Sequence, residues 1–307
     1  MISYYKTLNG KMTEISACEP GCWINCVEPE DAEIDRLIEE FGIEPEFIRS
    51  AMDEEETSHV DSEDNCTLVI LDTPMVEKPG SNIVYTTTPL GIILTEKNVI
   101  TLSTKENPIL NEFSEGVVRG VQTNLKTRFV LQMMLRIASR FLQYLKQIDK
   151  ITSQVERELR KSMKNRELIQ LMDIQKSLVF FSSSLKANEI TMEKIMRGRL
   201  IKLYEDDQDL LEDVLIEVKQ AIEMSNIYLN ILSGTMDAFA SVISNNLNIV
   251  MKILASITLL ISIPTVISGI YGMNVDNLPV ANFWFPVVLS AACMGIAYII
   301  LRKKDMF

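Results

Sequence analysis

Near its C-terminal end the chain carries a row of small and polar side chains with the spacing of one helix face. Steps of four and three residues connect the row, and bulky apolar residues flank it. The members, here called the polar stripe, are Asp237, Ser241, Ser244, Asn248, Met251, Ala255, Thr258, Ser262, Thr265 and Gly269. A polar face in lipid is costly unless it contacts protein or water. The stripe therefore indicates either close helix packing or the wall of an aqueous ion path.

Two members of the stripe favour the aqueous path. Asp237 and Asn248 stand where a dry helix seam would carry Leu or Ile. Their oxygen atoms, with the hydroxyls and carbonyls further along, would provide stations for a cation. Met251 and Leu254 would form either a hydrophobic constriction that gates by dewetting or an ordinary packing contact. Since one helical hairpin cannot enclose a pore, the aqueous path requires a symmetric homo-oligomer.

The stripe continues into the first of two apolar runs, 251–270 and 283–301. At about 1.5 Å of rise per residue, each run is long enough to cross a hydrocarbon core of about 30 Å. Basic residues at the inner ends predict that both termini are cytoplasmic; they are Lys252, Arg302, Lys303 and Lys304. The loop between the runs then faces outward, with Asp276 as its carboxylate. We expect a multi-pass protein of the inner or plasma membrane, embedded in the lipid bilayer.

The segment ahead of the first run predicts a cytoplasmic α/β domain followed by long helices. Strands are predicted at 23–27, 67–72, 83–88, 91–95 and 99–103, with short helices from Pro29 and over 45–53. Apolar residues at helical spacing predict long helices at 128–164 and 167–196, and a last helix from about residue 209 into the first apolar run. The expected division is an α/β domain 1–127, a helical hairpin 128–204, a stalk helix 205–250 and a transmembrane hairpin 251–307.

Composition excludes several other classes of function. The net charge of −12 is concentrated in segment 28–64, which has only two basic residues, Arg36 and Arg49, so no nucleic-acid surface is expected. No Gly-rich phosphate loop or Ser/His/Asp set is present, and we expect no enzyme. The first residues lack the apolar stretch of a signal peptide.

Three of the five cysteines fall four residues apart, at Cys18, Cys22 and Cys26. This spacing differs from the usual Cys-x-x-Cys of zinc sites, and Pro20 and Gly21 would break a helix that aligned the thiols. We therefore disfavour a zinc site. A mostly cytosolic chain also argues against disulfides.

The run Tyr271-Gly272-Met273-Asn274, at the outer end of the first apolar run, resembles the signature of the CorA-type magnesium channel family. Trp23, the segments 52–71, 89–101 and 236–248, and the basic tail resemble that family in the same order. The resemblance implies an α+β membrane protein: a homopentameric funnel with a cytoplasmic α/β domain and one long stalk helix per subunit. It also implies uptake of Mg²⁺, with Co²⁺ and Ni²⁺ as further substrates, gated by intracellular Mg²⁺.

The resemblance also implies roles for particular residues. Gly272, Met273 and Asn274 would form the selectivity filter. Mg²⁺ releases its water reluctantly, and a ring of Asn274 amides would hold the hydrated ion without net charge. The pore lining would be Asp237, Asn248, Met251, Leu254, Thr258, Ser262, Thr265 and Gly269. Regulatory Mg²⁺ would bind between Asp213 on the long helix and Glu77 on the α/β domain of a neighbouring subunit.

Two alternatives remain open. The first is a zinc or other transition-metal transporter on the same fold. Met273 favours magnesium over that alternative, and the stripe has none of the His or Cys residues that softer ions prefer. The second is a membrane-anchored coiled-coil sensory protein without transport, which would explain the long helices but not the polar stripe.

Overall fold

The computed structural model describes residues 1–63, 66–77, 83–162, 165–197, 200–274, 280, 282–304 and 306. The chain divides into two compact units, Met1–Gly234 and Thr235–Phe307. Asp276 lies outside the described residues, and so does residue 164, the predicted end of a long helix.

The first unit is built around a mixed sheet, which has seven strands in the described part of the chain. The strands are β1 Ile2–Leu8, β2 Lys11–Ile15, β3 Trp23–Val27, β4 His59–Glu63, β5 Cys66–Glu77, β6 Val84–Leu94 and β7 Val99–Ser103. Their order across the sheet is β2-β1-β3-β7-β6-β5-β4. Only the β3–β7 pair is parallel among these neighbours; the other pairs are antiparallel.

The sheet is more extensive than the sequence predicts. β1, β2 and β4 were not predicted, and β5 extends to Glu77 rather than ending near residue 72. The two strands predicted at 83–88 and 91–95 form the single strand β6, because Pro89 does not interrupt it. β6 pairs with β5 along its whole length but with β7 only from Gly91, so Pro89 lies where the absent N–H is not needed by β7.

One face of the sheet is covered by helices α1 (Asp31–Phe41) and α2 (Pro45–Met52). Apolar side chains of the two helices and the sheet form one buried cluster, which includes Ile24, Leu37, Ile43, Phe47, Ile48, Ile70, Ile100 and Leu102. Gly91 allows α2 to approach closely, because a Cβ there would lie 2.5 Å from the Cβ of Ala51. The acid-rich segment thus contributes apolar residues to the core and carboxylates to the surface.

The opposite face is covered by α3 (Pro108–Ser114), α4 (Lys126–Ser162) and α5 (Asn165–Met196). Trp23 is fully buried there, edge-on to Phe113 of α3 and Phe129 of α4, and its indole N–H donates to Thr101 Oγ1 at 2.9 Å. These aromatic contacts fix the first helices that follow the sheet.

The Asn188 side chain fastens α5 to β5. Asn188, 1% exposed, accepts the backbone N–H of Asp72 with Oδ1 and donates from Nδ2 to the backbone carbonyl of Asp72, both at 2.9 Å. Ser58 also donates to Asn188 Oδ1, at 2.5 Å. The amide thus behaves as an additional strand residue, since it satisfies both backbone groups of Asp72.

The last two helices are α6 (Glu205–Tyr271) and α7 (Trp284–Lys303). α6 has 67 residues and carries the carboxylates of Glu205, Asp206 and Asp207 in its first turn. Acidic residues stabilise that end of a helix. α6 also contains Pro264 within its helical part, where the proline removes one backbone donor.

Candidate ion pathway

Among the described residues, α6 and α7 are the two helices long and apolar enough to cross a membrane. Most residues of the apolar part of α6 are exposed, and none of the described residues of α7 is buried. In water such exposure would be unfavourable, whereas lipid solvates it. The two apolar runs of the sequence are therefore candidate membrane spans in the structure.

One face of the α6 span packs against the segment that follows α6 in the chain. Its residues are buried or half-buried at helical spacing: Ser256, Leu260, Ile263, Ile267 and Tyr271. At the C-terminal end of α6 the Tyr271 ring lies 6.2 Å from the Phe285 ring of α7, measured between centroids. At the other end the Ser256 hydroxyl donates to the backbone carbonyl of Met306 at 3.1 Å. This packed face belongs to the helical hairpin itself.

The polar stripe lies on a different face of α6. All ten of its residues are exposed. At about 100° per residue, the centre of the stripe within the span lies about 160° around the helix from the packed face. Packing between the two spans of one chain therefore does not account for the small and polar residues of the stripe.

Four hydroxyl groups of the stripe already donate to their own helix. The acceptors are backbone carbonyls three or four residues earlier: Ser241 donates to Asp237 at 3.1 Å, Thr258 to Leu254 at 2.9 Å, Ser262 to Leu259 at 2.8 Å and Thr265 to Ile261 at 3.1 Å. A hydroxyl has one donor and two acceptor lone pairs. With the donor engaged, the exposed oxygen presents acceptors, which suit the water protons around a hydrated cation.

The signature run begins where α6 ends. The Gly272 N–H donates to the Ser268 carbonyl at 2.9 Å, and the Met273 N–H donates to the Ile270 carbonyl at 3.3 Å. A Cβ at position 272 would lie 3.2 Å from the Ser268 carbonyl oxygen, so glycine fits the tight last turn because of space. Asn274 follows directly and is exposed. It follows Gly269, the last residue of the stripe, by five positions along the chain.

The basic residues of the two spans lie at corresponding ends of the hairpin. Lys252 is exposed one turn before Ser256 on α6, and Ser256 holds the tail through Met306. Arg302 and Lys303 are in the last turn of α7, and the Lys304 N–H donates to carbonyls in that turn. The structure therefore brings the tail close to the α6 turn next to Lys252.

The predicted regulatory carboxylates are both exposed in the first unit, Asp213 on α6 and Glu77 as the last residue of β5. In the part of the chain that the structure describes, no group of three or more His, Cys, Asp or Glu side chains is arranged to hold a metal ion. Within the described residues, Asp213 and Glu77 therefore belong to no such group.

Sequence reasoning did not identify two features of the pathway. Ser256 carries no signal of its contact with Met306, since that contact joins residues 50 positions apart. The engaged hydroxyl donors of the stripe were also not predicted. The signal for such bonds is a serine or threonine inside a helix, whose hydroxyl can reach the carbonyl of the preceding turn, and the stripe has such residues.

The chain has an α/β domain with long helices, followed by two candidate spans. The first span carries the polar stripe and ends at the Gly-Met-Asn run. This combination defines a class of membrane transport protein. Residues 19–303 match the family described as CorA-like Mg2+ transporter protein, and the chain belongs to that family.

Two curated relatives match most of the chain. The cobalt/magnesium transport protein CorA of Methanocaldococcus jannaschii is 28% identical over 301 residues, which cover 92% of this chain and 90% of the relative. The cobalt/magnesium transport protein CorA of Thermotoga maritima is 25% identical over 296 residues, which cover 91% of this chain and 80% of the relative.

Solved structures share the fold. The complete structure of the CorA magnesium transporter from Methanocaldococcus jannaschii aligns with a TM-score of 0.86 at 23% identity, covering 100% of this chain and 99% of that chain. The full-length CmaX protein aligns with a TM-score of 0.73 at 17% identity, covering 99% of this chain and 97% of that one. The architecture, including both candidate spans, is therefore that of known full-length structures.

Proposed function

We propose that this chain forms a divalent-cation channel that mediates Mg²⁺ uptake, with Co²⁺ and Ni²⁺ as further substrates. The observation that carries the proposal is the polar stripe, which is exposed on the face of α6 directed away from its own hairpin partner. Membership of the CorA-like Mg2+ transporter family supports the choice of ion. The names of the two relatives, both cobalt/magnesium transport proteins, support Mg²⁺ and Co²⁺ as the transported ions.

The stripe requires several copies of the chain around one axis, because a single helix cannot surround an ion. We take the number as five, from the family resemblance. Each copy would contribute one polar stripe to the wall, and the lipid would contact the remaining apolar surface. The same proposal includes the division into domains after residues 127, 204 and 250. It also places both termini in the cytoplasm, because basic residues lie beside the spans.

Ion entry would take place at the ring of Asn274 amides. Gly272 closes the last turn of α6 through its N–H, which donates to the Ser268 carbonyl, and Met273 separates Gly272 from Asn274 along the chain. An amide oxygen is a dipole without net charge, so it accepts hydrogen bonds from the water shell of Mg²⁺ and still releases the ion. Asp276 would add one carboxylate per copy outside this ring.

Below the entry site, the hydrated ion would pass the hydroxyls of the stripe. Because their donors are engaged by the helix, these oxygens can accept from ion-bound water without first breaking a hydrogen bond. Met251 and Leu254, 56% and 57% exposed, would form the apolar constriction nearer the cytoplasm. Lys252 and the basic tail would surround its inner mouth, and Asn248 and Asp237 would be the next ion stations.

The entry site is tested by Mg²⁺ flux into proteoliposomes. We expect cobalt hexammine, a mimic of hydrated Mg²⁺, to block the flux from outside, and Asn274→Ala to reduce it by at least about tenfold. Asn282→Ala is the matched control, since Asn282 is also an exposed asparagine in the segment between the spans, and its flux should stay within about twofold of the unmodified protein.

Three results would contradict the proposal. A well-folded oligomer without divalent flux would exclude a channel and favour the sensory protein. Flux of Zn²⁺ without Mg²⁺ would favour a transition-metal transporter. Equal losses of Mg²⁺ flux in Asn274→Ala and Asn282→Ala would show that the signature asparagine has no specific role.

Regulation would use the two exposed carboxylates of the first unit. In this proposal intracellular Mg²⁺ bridges Asp213 of one copy and Glu77 of a neighbour, which stabilises the closed channel; when Mg²⁺ falls, repulsion between the carboxylates releases it. Asp213→Asn should leave flux active at internal Mg²⁺ concentrations that close the unmodified channel. Glu212→Gln, at the adjacent exposed position, is the control. Identical Mg²⁺ dependence in both variants would exclude Asp213 as a ligand.

A further inference from the structure

A tight turn brings two cysteine thiols together in the first unit. The turn Glu19-Pro20-Gly21-Cys22 lies between β2 and β3, and the Cys22 N–H donates to the Glu19 carbonyl at 3.1 Å. Gly21 has φ of 75°, which a type II turn requires at its third position, and Pro20 occupies the favoured second position. Sequence analysis treated Pro20 and Gly21 as breaking the alignment of the cysteines. Instead the turn brings Cys18 and Cys22 into contact.

The two thiols differ in exposure. Cys18 is exposed, Cys22 is fully buried, and their Sγ atoms are 3.7 Å apart. A disulfide has an S–S distance of about 2.05 Å, so closure needs a movement of less than about 2 Å. Rotation of the exposed Cys18 side chain can supply that movement. Cys26, which completes the spacing in the sequence, lies within β3 and is buried in the core cluster instead.

A buried asparagine holds this arrangement. Asn98, 5% exposed, lies in the turn between β6 and β7 and accepts the Gly21 N–H with Oδ1 at 3.0 Å. Its Nδ2 donates to Cys18 Sγ at 3.2 Å. The Lys97 carbonyl also accepts the Gly21 N–H, at 2.9 Å. One side chain from another part of the chain therefore fixes both the turn and the exposed sulfur, so the thiols are held in place before any reaction.

The exposed sulfur also has access to solvent molecules. Cys18 borders a cleft of about 490 Å³ whose walls include Glu40, Thr95 and Lys97. A small-molecule disulfide can approach Cys18 there, whereas Cys22 lies behind it. Burial raises the pKa of the Cys22 thiol to about 11, so this thiol stays protonated at neutral pH and the exposed thiol reacts first.

We propose that Cys18 and Cys22 are a reversible dithiol–disulfide site that reacts with small-molecule disulfides of the glutathione class. The site is independent of the ion pathway proposed above. In a reducing cytosol such a bond is transient, which distinguishes it from a structural disulfide. In the described part of the chain, no third His, Cys, Asp or Glu joins the pair in a metal-binding group, and this favours redox chemistry over a metal site.

The reaction has two exchange steps. The Cys18 thiolate attacks one sulfur of the small disulfide, the S–S bond breaks, and one small thiol leaves after taking up a proton. Cys22 then loses its proton and attacks Cys18 Sγ, which forms the Cys18–Cys22 bond and releases the second small thiol. Two protein thiols are oxidised, one small disulfide is reduced to two thiols, and the two protons pass from the protein thiols to the products.

The test is a glutathione redox titration of the full-length protein in detergent. After acid quenching and alkylation, mass spectrometry should show a peptide that has lost two hydrogens, without fragments from cleavage between residues 18 and 22. The Cys22→Ser variant should instead accumulate glutathione on Cys18, and Cys18→Ser should remain unmodified at position 22. Cys66→Ala is the control because Cys66 borders the same cleft, and it should still form the bond.

The second thiol provides a further measurement. When the glutathione adduct on Cys18 is formed first and then transferred to different pH values, the rate of bond closure should rise about tenfold per pH unit between about 7 and 9, because the Cys22 thiolate is the attacking species. Glutathione held on Cys18 without closure, or closure with Cys66 in place of Cys22, would overturn the proposal. So would complete absence of reaction under conditions in which the unfolded protein reacts.

Discussion

The two compact units of the chain treat their side chains in contrasting ways. In the unit Met1–Gly234 many large apolar side chains are fully buried, among them Trp23, Phe113, Phe129, Phe141 and Phe181. In the unit Thr235–Phe307, none of the described residues of α7 is buried, and most of the α6 span is exposed. The first unit therefore completes its core from its own residues. The second exposes apolar surface that only lipid or further copies of the chain can cover.

The hydrogen bonds of polar side chains also differ between the two units. In the first unit buried amides bind distant parts of the chain: Asn188 fastens α5 to β5, and Asn98 fastens the β2–β3 turn. In the second unit the hydroxyls of Thr258, Ser262 and Thr265 donate to the preceding turn of their own helix and stay exposed. Buried amides thus specify the fold of the first unit, whereas the exposed hydroxyls of the stripe remain available for another molecule. Substitutions in the two units should accordingly affect different measurements.

The largest effect on folding is expected for Asn188→Ala. The variant loses both hydrogen bonds to Asp72 and leaves its buried N–H and carbonyl without that partner, so we expect destabilisation of about 2–4 kcal/mol. Denaturant unfolding of the full chain in detergent, followed through the fluorescence of buried Trp23, measures the loss. Ser183→Ala, an exposed position on the same helix, should change stability by less than about 0.5 kcal/mol. Equal stability of the two variants would show that the amide is not part of what holds α5 on the sheet.

The predictability of the fold differs between the units for a physical reason. Helical periodicity predicts α4, α5 and the two spans because their signal is local and many residues long. The strands β1, β2 and β4 were missed because their pairing partners determine them: β1 pairs with β2 and β3, and β4 pairs with β5. The joining of the two predicted strands around Pro89 is likewise decided by a neighbour, since β7 pairs with β6 only from Gly91, two residues after that proline.

The candidate pathway was easier to predict than the contacts around it. A stripe at steps of three and four is visible in the sequence, and the structure shows it exposed on one face of α6. Which face packs on the hairpin depends on Ser256, Tyr271 and their partners, and the sequence does not show that pairing. The contact between Cys18 and Cys22 was missed for a similar reason: turn geometry and Asn98, rather than helix spacing, bring the two thiols together.

The contrast predicts a smaller but specific effect on transport within the second unit. Ser262 and Ser290 both donate to their own helix, at 2.8 Å and 2.7 Å, but Ser262 lies on the stripe of α6 and Ser290 lies on α7. We expect Ser262→Leu to reduce Mg²⁺ flux by about tenfold, equivalent to about 1.4 kcal/mol, because it places a branched apolar group in the ion path. Ser290→Leu should change flux by less than about twofold.

The measurement is the initial rate of Mg²⁺ entry into proteoliposomes with equal amounts of folded oligomer. If both serine variants lose flux to the same extent, the stripe has no special role and general packing of the spans is responsible. Loss in Ser290→Leu alone would place the ion path on α7 and reverse the assignment of faces.

The smallest effect concerns a carboxyl group in the first unit. Burial raises the pKa of Asp72 above its ordinary value, and a hydrogen bond with Ser184 opposes this rise. For an acid whose pKa is raised by folding, the ionised form is the less stable one in the folded state, so stability falls as the pH rises through the raised pKa. Asp72→Asn removes the ionisation but keeps a similar shape. We therefore expect a small increase in Tm at pH 8.

The same variant gives a pH profile that tests the cause. The Tm difference between Asp72→Asn and the unmodified protein should shrink as the pH falls through the ordinary Asp value of about 3.9, below which the Asp72 carboxyl is neutral in both the folded and the unfolded state. Asp61→Asn, at an exposed position of β4, should show no comparable difference at any pH. A Tm advantage of Asp72→Asn that persists unchanged to low pH would assign the effect to packing rather than to charge. Even this buried carboxyl then acts on the stability of its own unit, whereas we propose that the exposed oxygens of the stripe act on a passing ion.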